Sequence, residues 1–338
     1  MQIAPVKIRD IAQLSNTSLP LISRNLKKYN DTEVTKINNR IVGISPEAAE
    51  KYLKSIGIDS FYKPAILLSA NLCGGVGKTT SIHNLGACLR RITNRKTPIV
   101  YIDGDSQGSF TSTIFGKPAE DKEPILIDFL DGKASIEDIL VKVNDDNIWF
   151  IKSNLNQAWI DRVLKKPQDI KNGMLNLYNK IFEALGTDAK IFQDHTPQIS
   201  ALFASSVCAL NQLPKNVLKS IIIPIRSDAF AIQGAEYILK EISELHDTFG
   251  SSNDIDIHCF FSNIDKRTKS TTTDALRLAS SKEQIQKHLS SVAIRYCSEV
   301  PKNIMSSENV YSSGKNNNAA QDFQDLLLSI FSSKQHAE

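Results

Sequence analysis

The sequence predicts an α/β fold with a mostly parallel β-sheet, preceded by a small N-terminal module made mainly of helices. Several short runs are almost wholly apolar, as expected of strands covered on both faces; they lie at residues 65–70, 98–102, 190–192, 218–225 and 257–261. Segments with a helical spacing of apolar residues separate these runs, which is typical of parallel strands joined by helices. Residues 1–60 instead contain short amphipathic segments separated by polar turns.

Bulk properties place the chain among soluble globular proteins. Its 338 residues suffice for one large domain and a small one. No apolar run approaches the roughly 20 residues that span a membrane, and the N-terminus lacks a signal-peptide core. We therefore expect a cytoplasmic protein without a membrane partner. The five cysteines have no zinc-binding spacing and are expected to be reduced thiols. A net charge of +3 does not by itself indicate a nucleic-acid partner.

A glycine-rich stretch follows the first apolar run of the predicted α/β domain. Residues 71–80 have the sequence N-L-C-G-G-V-G-K-T-T and precede a segment with helical periodicity. Between a strand and a helix, glycines let the backbone approach a ligand, and consecutive N–H groups at the helix N-terminus bind phosphate. Lys78 would contact the β- and γ-phosphates and serve catalysis, and the Thr79 hydroxyl would bind Mg²⁺. The predicted nucleotide-binding residues of this stretch are Gly74, Gly75, Val76, Gly77, Lys78, Thr79 and Thr80.

The strict pattern G-x-x-x-x-G-K-[ST] is not met, because Leu72 occupies the position of its first glycine. The stretch resembles the deviant loop K-G-G-x-x-K-T-T of the ParA/Soj/MinD superfamily of partition ATPases, with Cys73 in place of the first lysine. That resemblance implies a P-loop NTPase core that binds ATP or ADP with Mg²⁺ and hydrolyses ATP. In the superfamily the first lysine reaches the phosphates of the other protomer, and a thiol cannot supply that charge. We therefore expect dimerisation with slow hydrolysis.

Further motifs follow in the order that the superfamily shows. D-G-D-S-Q-G at residues 103–108 resembles its D-x-D-P-Q-G segment, which implies that Asp105 orients the attacking water and that Asp103 supports the site as a metal ligand. Residues 194–197 resemble its D-x-x-P element, which implies that Asp194 contacts Mg²⁺ through water. P-I at residues 224–225 and Q-G at residues 233–234 match another recurrent pattern. By the same resemblance, the amide of Asn263 would contact adenine.

Residues 8–26 have the layout of a helix-turn-helix. Asn16 lies at the turn and tolerates a positive φ, and Pro20 suits the first turn of the second helix. Residues 35–45 are expected to form a small β-wing, and a further helix is expected to begin at Pro46. The stretch resembles the headpieces of bacterial repressors, which implies DNA binding. The predicted DNA-binding residues are Ser18, Leu19, Pro20, Ser23 and Arg24 at the major groove, and Lys27 and Lys28 at phosphates.

We divide the chain into a helix-turn-helix domain at residues 1–60 and an ATPase domain at residues 61–338, with residues 57–64 as the linker. This arrangement is similar to that of long plasmid partition ATPases, which also repress their own operon. The resemblance implies a nucleoid-associated homodimer that binds DNA non-specifically when ATP is bound, and a ParB-like centromere-binding partner that triggers hydrolysis. Candidates for the non-specific contacts are basic residues of the C-terminal half: Lys266, Arg267, Lys269, Arg277, Lys282, Lys287 and Arg295.

Three alternatives remain open. The N-terminal module could be a plain three-helix bundle that mediates dimer contacts. The whole chain could be a nucleotide-responsive transcriptional repressor with little ATP turnover, or a positioning ATPase for a non-DNA cargo. A sequence-specific footprint upstream of its own gene favours repression, whereas ATP-dependent binding to random DNA favours partition.

Overall fold

A computed structural model gives the fold of residues 5–144, 146–250, 254–265, 267, 269–298, 300, 308–311 and 318–332. The N-terminal elements are β1 (Val6–Lys7), α1 (Ile8–Leu14), α2 (Leu19–Asn25), β2 (Val34–Ile37), β3 (Arg40–Ile44) and α3 (Pro46–Ser55). The strands that follow are β4 (Ala65–Ser69), β5 (Ile99–Asp103), β6 (Leu140–Asn144), β7 (Ile148–Ile151), β8 (Lys190–Asp194), β9 (Leu218–Ile225) and β10 (Ile255–Phe261).

Helices connect these strands. They are α4 (Lys78–Ile92), α5 (Ser109–Phe115), α6 (Leu126–Leu130), α7 (Ile136–Ile139), α8 (Ile160–Val163), α9 (Pro167–Leu185), α10 (Ala201–Gln212), α11 (Ala229–Phe249), α12 (Lys269–Ser281), α13 (Glu283–His288) and α14 (Asn318–Ser332). The strand–helix alternation confirms the predicted α/β class.

The large sheet has the strand order β10-β9-β4-β8-β5-β7-β6, and every neighbouring pair is parallel except β6 with β7. Because the central strands are parallel, their carboxyl ends lie at one edge of the sheet, where ligands of open α/β sheets bind. The register places Asp103 of β5 opposite Asp194 of β8, and Asp194 opposite Ser69 of β4. Asp194 therefore lies beside the strand that leads into the glycine-rich loop, and Asp103 lies one strand farther along the same edge.

Apolar side chains cover the sheet on both faces, as the near-continuous apolar runs predict. On one face, Ile66 and Leu68 of β4 join a core with residues of α9, α10 and α11. On the other face, Ala65 and Leu67 join a core with residues of α4 and α14. The sheet is thus buried between helices, which fixes the positions of its strand ends.

The N-terminal module consists of two short helices, a β-hairpin and a third helix, in the predicted order. Asn16 has φ 46° at the turn between α1 and α2, and Asn38 and Asn39 have φ 48° and 59° at the hairpin tip. These are left-handed conformations that asparagine tolerates better than most residues. The Ser45 hydroxyl accepts a hydrogen bond from the Ala48 N–H and so caps α3. The predicted wing and third helix are both present.

Segment 57–64, predicted to be a linker, is packed against the rest of the protein. Phe61 is buried and stacks on Phe331 of α14, with ring centroids 5.3 Å apart. Apolar residues of α1, α2 and α3 belong to the same continuous core as those of α4 and α14. Polar contacts also join the module to α4 and to the segment after it: Arg91 pairs with Asp10 at 2.8 Å, and the Asn94 N–H donates to Glu50.

Candidate nucleotide site

The glycine-rich loop leaves β4 at Ser69 and enters α4 at Lys78, as the sequence predicts. Gly75 and Gly77 have φ 68° and 96°, in the left-handed region that side-chain-bearing residues rarely adopt. This conformation turns the backbone sharply just before α4, so that the N-terminus of the helix opens at the carboxyl edge of the sheet. The segment therefore has the geometry of a phosphate-binding loop.

Lys78 lies against the loop that precedes it. Its ammonium donates to the carbonyl oxygens of Asn71, at 3.0 Å, and Cys73, at 3.1 Å. The side chain is 7% exposed, and burial lowers the pKa of its amine. These bonds position the ammonium before any anion binds, and burial strengthens the attraction between the ammonium and an anion.

Thr79 and Asp194 form the candidate magnesium site. The Thr79 hydroxyl donates a hydrogen bond to Oδ2 of Asp194, while Oδ1 is buried without a hydrogen-bond partner among the described residues. Burial raises the pKa of Asp194 to about 7. An orphaned carboxylate oxygen beside a hydroxyl suits a hard cation, because Mg²⁺ binds through one or two protein oxygens, waters and phosphates rather than a full protein cage. The described residues accordingly fit Mg²⁺, although they contain no cluster of three or more His, Cys, Asp or Glu side chains suited to a metal.

Asp103 is fully buried and already has several donors. One oxygen accepts from the Asp105 N–H at 3.1 Å, and the other accepts from the Thr111 N–H at 2.8 Å and its hydroxyl at 2.7 Å. Burial nevertheless raises its pKa to about 6. These bonds hold the loop between β5 and α5. A direct contact to the metal stays a prediction.

Asp105 and Asn263 lie in loops at the carboxyl edge. Asp105 is half-buried; one of its carboxylate oxygens accepts from the Gln107 N–H at 2.9 Å, and the Ser153 hydroxyl donates to its backbone carbonyl at 2.7 Å. Asn263 follows β10, is exposed and has φ 59°. Their predicted contacts, with water and with adenine, stay predictions.

Three residues hold the loop without having been predicted to do so. The Asn71 amide donates to the carbonyls of Pro224, at 2.9 Å, and Ala231, at 3.2 Å, and its oxygen accepts from the Cys73 N–H at 2.9 Å. The Ser262 hydroxyl donates to the Val76 carbonyl. A Cβ at Gly234 would lie 2.5 Å from Asn71 Oδ1, so glycine lets α11 approach the loop this closely. Of these three residues, only Gly234 belongs to a pattern that the sequence analysis identified, the Q-G pair at residues 233–234.

Comparison with known proteins agrees with this geometry. A family model described as an AAA domain matches residues 65–257, more than half of the chain. The chromosome-partitioning ATPase Soj of Treponema pallidum is 29% identical over 203 residues, which cover 60% of this chain and 73% of Soj. The chain belongs to the ParA/Soj/MinD superfamily of P-loop ATPases. The sporulation initiation inhibitor protein Soj of Bacillus subtilis is 27% identical over 64% of its own length, and the chromosome partitioning protein ParA of Caulobacter vibrioides is 25% identical over 62% of its own length.

Solved structures show the same fold. The ATP complex of a single-residue variant of Cyanothece McdA aligns with a TM-score of 0.64 at 16% identity, over 82% of this chain and 99% of McdA. Cobyrinic acid a,c-diamide synthase of Mycobacterium smegmatis, with a bound ATP analogue and magnesium, aligns with a TM-score of 0.61 at 18% identity, over 81% of this chain and 97% of that one. At these sequence identities, the likeness to the solved structures shows only the fold of this chain.

Outside the superfamily core, the predicted DNA-binding residues lie on α2, at its N-cap and in the turn that follows it, at the surface of the N-terminal module. Ser18, Leu19, Pro20, Arg24, Lys27 and Lys28 are exposed, and Ser23 is half-buried. Ser18 stands at the N-cap of α2 but makes no capping hydrogen bond through its side chain. The surface is available to a ligand, and its contact with DNA stays a prediction.

Several of the predicted non-specific DNA contacts already have acidic partners. Ion pairs join Arg267 to Asp265, Arg277 to Asp274, Lys282 to Glu236 and Arg295 to Asp322. Lys266 and the side chain of Lys269 lie outside the described residues.

Within the part of the chain that the structure describes, no helix has the length and apolarity needed to cross a membrane.

Replacing Gly234 by Ala should weaken nucleotide binding. The added methyl group would collide with Asn71 Oδ1, and the clash would disturb the hydrogen bond that orients the Cys73 N–H. We expect a lower ATP affinity by calorimetry together with a lower melting temperature. Gly132→Ala is the control, because a Cβ there meets no atom within 4 Å although its φ of 74° costs backbone strain. Equal ATP affinities in the two variants would show that the Asn71 contact does not shape the loop.

Proposed function

We propose that this chain is a partition ATPase that binds ATP with Mg²⁺, dimerises and helps to segregate plasmid or chromosomal DNA. The observation that carries the proposal is the placement of Lys78, Thr79 and Asp194 at one edge of the parallel sheet, with Thr79 bonded to Asp194. Membership of the superfamily and the likeness to the partitioning ATPase Soj support it.

The residues of the site divide the work of binding and hydrolysis. The loop N–H groups and Lys78 hold the β- and γ-phosphates, and Thr79 with Asp194 would hold Mg²⁺, the latter through water. When bound, Mg²⁺ neutralises phosphate charge and favours the ionised form of Asp194. Asp105 orients the attacking water, and Asp103 fixes the backbone that carries Asp105. Asn263 contacts adenine.

The nucleotide acts as a switch between two states. In the ATP state two protomers enclose the nucleotides and bind DNA non-specifically, and a ParB-like centromere-binding protein triggers hydrolysis and release. The N-terminal module places α2 in the major groove of an operator, so that the protein represses its own operon. The exposed face of α2 and the position of Arg24 on it support this part of the proposal.

A second candidate is a nucleotide-responsive repressor with little ATP turnover. Two observations favour it: Cys73 stands where the superfamily has its first lysine, and four of the basic residues predicted to contact DNA non-specifically are ion-paired within the chain. Specific operator binding without ATP-dependent binding to random DNA would favour this candidate over partition.

Replacing Lys78 by Ala should abolish measurable ATP binding. The Lys78 ammonium is buried and bonded to the loop, and its loss removes a positive charge that would bind the phosphates. Calorimetry with ATP and Mg²⁺ measures the affinity, and Lys180→Ala is the control because Lys180 is 47% exposed and pairs with Glu183. An affinity of Lys78→Ala equal to that of the control would contradict the ATPase assignment.

Replacing Cys73 by Lys should raise ATP turnover several-fold. The lysine restores a charge that the deviant loop normally contributes, whereas Cys73→Gln adds length without charge and should leave turnover unchanged. Phosphate release at saturating ATP is the measurement. The idea fails if the unmodified protein already turns over as fast as Cys73→Lys.

Replacing Arg24 by Ala should weaken specific operator binding by about tenfold or more while leaving ATP affinity unchanged. Fluorescence anisotropy on DNA from upstream of the gene measures the first quantity, and calorimetry measures the second. Lys54→Ala is the control, since Lys54 is 49% exposed on α3 and pairs with Glu50. Loss of both activities would indicate misfolding, and unchanged operator affinity would remove α2 from the DNA interface.

A further inference from the structure

A second positive charge lies over the phosphate loop, and it comes from a different strand. Arg226 is the first residue after β9, which neighbours β4 in the sheet, with Ile222 opposite Ser69. Because the two strands are parallel, the segment that follows β9 lies beside the loop that follows β4. Nη1 of Arg226 lies 3.7 Å from the point that a Cβ of Gly75 would occupy.

The guanidinium is held in this position by an acid on the same segment. Its Nε donates to Oδ2 of Asp228 at 2.5 Å, and Oδ1 of Asp228 accepts from the Ala231 N–H at 2.9 Å, which caps α11. The planar fork of arginine leaves Nη1 directed to a second partner when Nε is engaged. Arg226 is therefore tied to the start of α11 while its far edge lies near Gly75 of the loop.

We propose that Arg226 contacts the polyphosphate of the bound nucleotide and supplies, within its own protomer, the positive charge that Cys73 does not. Lys78 is buried beneath the loop and bonds to two of its carbonyls, whereas Arg226 is 45% exposed and approaches from the solvent side. A polyphosphate seated between them would be contacted by cations from both sides. Arginine suits this position because it binds phosphate oxygens through two parallel N–H groups.

The contrary reading is that the ion pair with Asp228 only stabilises the start of α11. The two readings differ in what a substitution changes. A phosphate contact predicts a loss of nucleotide affinity that follows the charge of residue 226, whereas a structural ion pair predicts a loss of stability that is the same for any replacement.

The first test compares Arg226→Gln, Arg226→Lys and Arg95→Gln by calorimetry with ATP and Mg²⁺. Arg95 is the matched control, because it is 44% exposed, pairs with Asp146 at 3.7 Å and precedes β5 at the opposite edge of the sheet. We expect about tenfold or greater loss of ATP affinity in Arg226→Gln, a smaller loss in Arg226→Lys and none in Arg95→Gln. Equal losses in Arg226→Gln and Arg226→Lys, or no loss in Arg226→Gln, would overturn the proposal.

The second test places the lost charge elsewhere on the loop. In the Arg226→Gln background, Cys73→Lys should recover ATP affinity and Cys73→Gln should not. Recovery by neither variant would show that Arg226 acts through α11 and not through its charge. The inference rests on the proposed function, but different results contradict each of them. If the unmodified protein binds no ATP, the proposed function is wrong. If ATP binding does not depend on residue 226, only the role proposed for Arg226 is wrong.

Discussion

The hydrogen bond from the Thr79 hydroxyl to the Asp194 carboxylate joins two parts of the site that lie 115 residues apart in the chain. Thr79 belongs to the first turn of α4, and Asp194 ends β8. The bond is possible only because β4 and β8 are parallel neighbours whose register sets Ser69 opposite Asp194. Burial of Asp194 makes its negative charge unfavourable without a cation, so the same arrangement that builds the sheet creates a place for Mg²⁺.

Much of this arrangement follows from sequence pattern. The apolar runs, the glycines before α4 and the acids at strand ends are local signals, and the parallel sheet converts them into one site. The clamp on the loop could not be predicted, because Asn71 binds the carbonyls of Pro224 and Ala231, which are far from it in the sequence. A side-chain amide in a loop gives no sign of which distant backbone it will contact.

The partners of buried polar residues are equally hard to predict from local sequence. Gln193 is a polar residue in the fully buried strand β8. In the structure its oxygen accepts from the Tyr178 hydroxyl at 2.5 Å and its amide donates to Ser206 at 3.1 Å, so its polar groups are satisfied inside the core. Partners on α9 and α10 make the residue acceptable, and no pattern within β8 identifies them.

The N-terminal module is separable in the sequence but shares a core with the ATPase in the structure. Turn and cap residues are local signals, so Asn16 and Ser45 mark the helices correctly. The stacking of Phe61 on Phe331 joins residues that are distant in the chain, and composition alone makes residues 57–64 resemble a linker. Helix α4 begins at the phosphate loop and also packs against this module.

We infer that the glycine-rich loop and Asp194 together bind a magnesium nucleotide. Calorimetric titration of the unmodified protein with ATP, in Mg²⁺ and again in excess chelator, tests it most directly. We expect saturable binding of one ATP per chain that weakens when the metal is removed. Absence of saturable binding, or an affinity unaffected by the chelator, would contradict it.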